Sequence, residues 1–220
     1  MMYGQPGAGK GTQANLLAWK RDFFHFDTGR YLSSYVHDPT NKKNKKVQFE
    51  RALYDSGKLM TPSWVLSIVK KRTEVAGKAD LSLVYSGSPR TMFEAFGDAK
   101  TPGLVETLKK YYGKQNMFFI FLDVSPATSI RRNSGRKICS VCSTAVAASA
   151  KPRHCSICMG KLRQRSDDKV EVIKKRLIEY KKRTFPIIAA LKKHGYRVIK
   201  ISGEPLPEKV HRRINNILPH

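Results

Sequence analysis

The residues best suited to chemistry come first in the chain. Gly4-Gln5-Pro6-Gly7-Ala8-Gly9-Lys10-Gly11-Thr12 follows a short apolar run, Met1-Met2-Tyr3, and precedes an amphipathic stretch with Leu16, Leu17 and Trp19. Strand, then G-x-x-x-x-G-K, then helix is the context that a phosphate-binding loop requires. Glycines let backbone N–H groups turn toward a polyphosphate, the helix N-terminus adds partial positive charge, and the lysine reaches the outer phosphates. A nucleoside triphosphate is the expected ligand.

A second chemical cluster lies far along the chain. Cys139-x2-Cys142 and Cys155-x2-Cys158 are separated by 12 residues and include all 4 cysteines. Each pair makes a knuckle presenting two sulfurs, and two knuckles make a tetrahedral thiolate cage for Zn²⁺. Four thiolates leave no open position for water, so the metal is expected to be structural, and His154 is expected to be an exposed neighbour. A lobe of about 30 residues buries too little apolar surface to fold alone, and metal binding supplies the missing free energy. Taken alone, the ribbon would equally suit an RNA-binding module.

The run Pro6-Gly7-Ala8-Gly9-Lys10-Gly11-Thr12-Gln13-Ala14 resembles the adenylate kinase family of nucleoside monophosphate kinases, where the extra glycine after the lysine is usual. Arg132-Asn133-Ser134-Gly135-Arg136 before the cysteines, Arg165-Ser166-Asp167-Asp168 after them, and then Arg176 resemble that family's lid. The resemblance implies that Gly7, Ala8, Gly9, Lys10, Gly11, Thr12, Arg132, Arg136 and Gly203 bind ATP. It also implies that Lys10, Arg90, Arg136, Arg165 and Arg176 carry catalysis. Guanidinium forks suit phosphate oxygens, and phosphoryl transfer is mostly positioning and neutralisation of the moving charge.

On the acceptor side, Phe26-Asp27-Thr28-Gly29 is similar to the family's S-T-G turn. Gly57-Lys58-Leu59-Met60 resembles the segment lining the acceptor nucleoside, and Tyr85-Ser86-Gly87-Ser88-Pro89-Arg90-Thr91 resembles D-G-F-P-R-T. The implied acceptor residues are Thr28, Lys58, Leu59, Met60, Gly87, Arg90, Glu94, Arg165 and Arg176. Three departures matter. Ser86 replaces an acidic residue that helps orient Mg²⁺ and its waters, so slower turnover is expected. Ser33 stands where an acceptor-phosphate arginine is usual, while Arg30 is new; it either substitutes from another angle or is a plain surface arginine. Glu94 replaces the glutamine that reads adenine. A carboxylate only accepts hydrogen bonds, which suits guanine better and predicts a relaxed or altered acceptor choice.

These residues need a scaffold. Apolar strand candidates at 1–3, 23–26, 83–85, 117–122 and 197–201 alternate with helical patterns at 10–20, 29–36 with further pieces to 72, 91–111, 126–133 and 205–218. Such alternation predicts an α/β fold with a parallel sheet covered on both faces. With the resemblance, this becomes a P-loop NTPase-like five-stranded sheet flanked by helices, with a helical NMP-binding insertion and a zinc-ribbon lid. Residues 168–193 read as one long helix kinked by Pro186. The expected division is core 1–27, NMP-binding insertion 28–57, core 58–132, zinc lid 133–165 and core 166–220. Three residues before Gly4 make a very short first strand, either truncated or preceded by an upstream start.

The chain carries 42 Lys and Arg against 17 Asp and Glu, a net charge of +25. The basic residues lie in short clusters such as Lys42-Lys43-Asn44-Lys45-Lys46, without interleaved aromatic residues. Weak, salt-sensitive polyanion adhesion is expected, not a dedicated nucleic-acid partner. No apolar run reaches about 18 residues, so no membrane span is expected. No secretory signal is expected either, and the cysteine pattern suits a reducing cytoplasm. The resulting expectation is a monomeric cytoplasmic phosphotransferase acting on ATP, with Mg²⁺, and a nucleoside monophosphate, AMP first. The alternatives are a kinase preferring GMP, UMP or CMP, or a degenerate kinase fold acting as a basic nucleotide- or RNA-binding protein.

Overall fold

A computed structural model of the chain describes residues 1–146, 153–164 and 168–219. Five parallel strands are present: β1 (Met2–Tyr3), β2 (Phe24–Phe26), β3 (Leu83–Tyr85), β4 (Phe118–Asp123) and β8 (Arg197–Ser202). They form two ladders, β1-β4-β8 and β2-β3, where the sequence predicts one continuous five-stranded sheet. The gap has a local cause: β1 has only two residues before Gly4, at φ +144°, turns the chain away.

Both ladders nevertheless feed the same two apolar layers. Tyr3, Phe26, Tyr85 and Phe119 share one cluster with Trp64, Leu104, Ile187 and Leu191. Met2, Val84, Ile120, Leu122 and Ile201 share the other with Ala14, Leu17 and Ile214. Neighbouring residues along a strand point to opposite faces, so a strand apolar at every position is buried on both sides. The mixed α/β architecture with helices on both faces is the one expected from the sequence.

Helix α1 (Lys10–Arg21) follows β1 directly, with Gly9 as its N-cap at φ +93°. No strand interrupts the stretch from 28 to 78, which holds α2 (Thr28–His37), α3 (Lys45–Asp55) and α4 (Pro62–Lys78). Asp27 and Asn44 cap the first two through side-chain oxygens, as short polar residues do where backbone donors lack partners.

One helical reading is corrected, and one is refined. Residues 91–111 are two helices, α5 (Met92–Phe96) and α6 (Leu104–Tyr112). Between them Gly97 has φ +75° and bridges Pro102, while Asp98 Oδ1 accepts from the N–H groups of Lys100 and Thr101. An Asx-type turn and a proline offer the backbone an alternative to the helix. Residues 170–193 are helical throughout, as the pattern predicts: α8 (Val170–Glu179) runs through a π-helical turn, Tyr180–Thr184, into α9 (Phe185–Lys193). Pro186 has no N–H to continue the regular ladder, which accounts for the wider turn beside it.

After β4, α7 (Pro126–Ser134) leads into a small antiparallel sheet of β5 (Lys137–Cys139), β6 (Ala145–Val146) and β7 (Leu162–Arg163). Helix α10 (Pro207–Asn215) closes the chain against α1. No helix among the described residues is long and apolar enough to cross a membrane.

Candidate active site

The glycine loop joins β1 to α1 at the carboxyl edge of the sheet. Gly7 has φ +78°, and a Cβ there would stand 2.6 Å from Asn133 Nδ2, so only glycine fits. A Cβ at Gly9 or Gly11 would meet nothing within 4 Å. The space over these two positions is open, as a phosphate cradle requires, whereas the back of the loop is packed. Ser129 donates to Pro6 O at 2.5 Å and Gln5 Nε2 to Val124 O at 2.5 Å, tying the loop to α7 and to the end of β4. Ala8 is buried, and Thr12 sits exposed in the first turn of α1.

Lys10 folds back over this loop, donating from Nζ to Gly4 O at 2.7 Å and Gln5 O at 3.0 Å. Burial, reinforced by the charges of Arg90, Arg176 and Arg136 and opposed by Asp27, pushes its ammonium down to about 7. A cation so destabilised is prepared to accept an anion, because a phosphate would restore its charge. Arg90, Arg136 and Arg176, from three separate segments, thus lie near enough for their charges to act on Lys10.

Arg136 and Arg176 are oriented by one carboxylate. Asp168, fully buried, accepts from Arg136 Nε at 3.0 Å and from Arg136 Nη2 at 2.6 Å. Arg176 Nη1 lies 3.8 Å from the same Asp168 Oδ1. Arg165, expected to join them, lies outside the described residues, as does Asp167. Arg132 donates from Nη1 to Gly203 O at 2.8 Å and from Nη2 to Glu204 O at 2.9 Å. Gly203 in turn packs on the loop, since a Cβ there would come within 3.0 Å of Ala8 O.

A pocket next to this cluster is lined by Thr28, Lys58, Leu59, Met60, Gly87, Arg90 and Glu94, together with Leu32, Tyr54 and Val65. Thr28 Oγ1 is buried there with no hydrogen-bond partner among the described groups, and so is Ser88 Oγ. Buried hydroxyls are costly to leave unpaired, so such atoms mark where a polar ligand belongs. Arg90 Nε donates to Gly87 O at 2.8 Å, holding the guanidinium at the pocket's mouth. Neither Arg30 nor Ser33 lines the pocket. Arg30 is exposed, and its Nη1 reaches Cys142 O at 3.5 Å in the cysteine lobe.

Glu94 has a structural duty that the sequence pattern T-x-x-E was able to reveal but that base recognition overshadowed. Its Oε2 accepts from Arg90 N–H at 2.9 Å and its Oε1 from Thr91 Oγ1 at 3.2 Å, while Thr91 Oγ1 caps Glu94 N–H at 3.1 Å. This is a variant of the capping box at the start of α5, with the amide before the N-cap held in place of the N-cap's own. Burial raises the Glu94 carboxyl above its ordinary 4.5 despite those bonds.

The four cysteine sulfurs lie within 4.8 Å of one another, and none is in a disulfide. Cys139 and Cys158 sulfurs are 3.4 Å apart and those of Cys142 and Cys155 3.6 Å, close to the roughly 3.8 Å edge of a tetrahedron with Zn–S bonds of about 2.3 Å. Val141 N–H points at Cys139 Sγ and Ile157 N–H at Cys155 Sγ, both at 3.4 Å. Thr144 lowers the Cys142 thiol to about 6, favouring the thiolate. The donor set fits a divalent soft metal. His154 is exposed and outside the cluster.

Comparison with known proteins agrees with this geometry. The family described as Adenylate kinase matches residues 2–196. Adenylate kinase of Petrotoga mobilis is 32% identical over 99% of this chain and 96% of its own length. That of Treponema denticola is 33% identical over 99% and 97%, and that of Caldicellulosiruptor saccharolyticus 31% over 94% and 93%.

Proposed function

Since the chain belongs to the adenylate kinase family of nucleoside monophosphate kinases, we propose that it moves the terminal phosphoryl group of ATP to AMP, giving two ADP, with Mg²⁺. The observation that carries this reading is Lys10 folded over the glycine loop, beside a pocket lined by Arg90 and by a buried, unpartnered Thr28 hydroxyl.

On this reading Gly7 to Thr12 hold the donor phosphates, and Lys10 neutralises them. Arg132, with Gly203, flanks the donor base side, and Arg136 reaches in from the lid. Thr28 and Arg90 bind the acceptor phosphate, with Lys58, Leu59, Met60, Gly87 and Glu94 around its nucleoside. Arg165 and Arg176 complete the cage. An acceptor phosphate oxygen forms the new P–O bond as the bond to the leaving ADP breaks. Both are already anionic, so no side-chain base is required and the protein supplies position and charge. Mg²⁺, when bound, would offset charge on the donor phosphates, and Gly11 would offer it no side-chain ligand.

Residues 28–57 form the acceptor insertion and 133–165 the lid, stapled by Zn²⁺ on Cys139, Cys142, Cys155 and Cys158. The enzyme is taken to be a cytoplasmic monomer with weak, salt-sensitive adhesion to polyanions, a reading supported by its free, clustered cysteines and its +25 charge. A panel of AMP, GMP, UMP and CMP with ATP and Mg²⁺ tests it. AMP turnover is expected, and absence of turnover with all four would sink the assignment.

A further inference from the structure

The phosphate site is rich in cations, and its carboxylates are mostly occupied. Asp168 is held by Arg136 and Arg176, and Glu94 closes the cap of α5. At position 86, where the resemblance leads one to expect an acid, stands a serine. Its hydroxyl is bound: His25 Nε2 is 2.7 Å from Ser86 Oγ, and His25 Nδ1 is 2.6 Å from Asn15 Oδ1. An amide oxygen only accepts, so Nδ1 carries the proton and Nε2 accepts a hydrogen bond from the Ser86 hydroxyl. The result is a neutral chain, Asn15–His25–Ser86, with no negative charge to offer.

A negative charge stands one strand away. β2 and β3 pair in parallel with Phe26 opposite Tyr85, and the next residues, Asp27 and Ser86, follow these paired strand ends at the carboxyl edge. Asp27 Oδ1 accepts from Arg30 N–H at 3.1 Å to cap α2, and Asp27 forms no ion pair with a described residue. A Cβ placed on Gly29 would lie 3.5 Å from Asp27 Oδ1 and 3.7 Å from Arg90 Nη2, so both groups border Gly29 at this turn. Its charge is also felt at Lys10, against the three guanidiniums.

We propose that Asp27, displaced by one strand from the usual position, is the anionic residue that orients the water shell of the nucleotide-bound Mg²⁺. This assignment rests on the phosphotransfer reading above. It explains how a chain with Gly11 and Ser86 retains a protein anchor for the metal. A carboxylate is a hard oxygen donor that can hold metal-bound water without entering the first coordination sphere.

The test uses Asp27→Asn and Asp27→Ser, since both residues cap helices about as well as aspartate and should leave α2 intact. Mn²⁺ binding to the protein–ADP complex is followed by electron paramagnetic resonance, alongside the Mg²⁺ dependence of turnover. Both variants should weaken Mn²⁺ binding by about tenfold, the low end of losses seen when outer ligands are removed. ADP affinity measured without metal should not fall. Adding Ser86→Asp to Asp27→Asn should restore Mn²⁺ binding, an outcome that a merely structural role for Asp27 would not produce. Wild-type Mn²⁺ affinity in Asp27→Asn, or no recovery in the double variant, would overturn the proposal. If the wild-type protein turned over no nucleotide, the proposed function would fail, while the Mn²⁺ measurements would still decide the role of Asp27.

Discussion

Asp168 Oδ1 lies 2.6 Å from Arg136 Nη2 and 3.8 Å from Arg176 Nη1, so one buried carboxylate aims two guanidiniums from different segments at the same place. The two arginines would repel each other without it, and each keeps about a fifth of its side chain in solvent, at 21% and 23% exposure. Arg136, which precedes the cysteines in the chain, is therefore positioned by a residue that follows them.

Replacing Asp168 with Asn should cost both stability and rate. Loss of the shared counter-charge costs about 2 kcal/mol, less than for a fully buried pair because the guanidiniums retain water. That corresponds to a fall in Tm of about 4–8 °C, read by thermal unfolding. Arg136→Lys should instead lower kcat with a smaller change in Tm, because an ammonium cannot make the bidentate contact. An unchanged kcat in both variants would remove Arg136 from the reaction.

Lys10 should take up a proton when nucleotide binds. Burial, with Arg90, Arg176 and Arg136, lowers its ammonium to about 7 in the protein alone, so at pH 8 about 0.9 of the lysines are neutral and at pH 6 about 0.1. Donor phosphates restore the charged form. Calorimetry in buffers of different ionisation enthalpy should show uptake of about 0.9 proton per ATP at pH 8 and little at pH 6. Lys10→Met should abolish the uptake and lower kcat/KM by about 10²–10³.

The Glu94 carboxyl, raised by burial, predicts an acceptor preference that moves with pH. The ionised form only accepts and favours guanine. As pH falls toward its raised pKa, the protonated form gains a donor, like the amide of glutamine. The ratio of kcat/KM for AMP to that for GMP should rise from about pH 8 to pH 5.5 in the wild type. In Glu94→Gln the ratio should be higher and flat. The ratio cancels titration of the acceptor phosphate, which both substrates share.

Metal removal should unfold the lobe and spare the core. The described part of the lobe has only short strands, of two or three residues, around the sulfurs. One Zn²⁺ per chain is expected by metal analysis. Stripping it with chelator, or Cys155→Ser, should lower kcat and Tm, while ATP affinity, still carried by the loop at Lys10, should fall less than kcat. Full activity in the zinc-free protein would contradict a structural role for the metal.

Local chemistry in this chain was legible from order and spacing alone. The glycine loop, the two cysteine knuckles and the apolar run at Phe118–Asp123 depend on neighbours a few residues away, and backbone preferences act over that range. The break of 91–111 was less legible. Its cause, Gly97 facing Pro102 with Asp98 between them, competes with a helical pattern that continues on both sides. The double use of Glu94 was hidden for a different reason, because one carboxylate serves a cap and lines a pocket at once.

The sequence by itself determined which residues can bind phosphate and metal, because residue type and short spacing already dictate that chemistry. Only the tertiary structure decided how they are aimed. Asp168 reaches back 32 residues to Arg136, and the pairing of Phe26 with Tyr85 sets Asp27 and Ser86 after paired strand ends. Strand register and helix packing set those meetings, and neither is written in the local order of the chain.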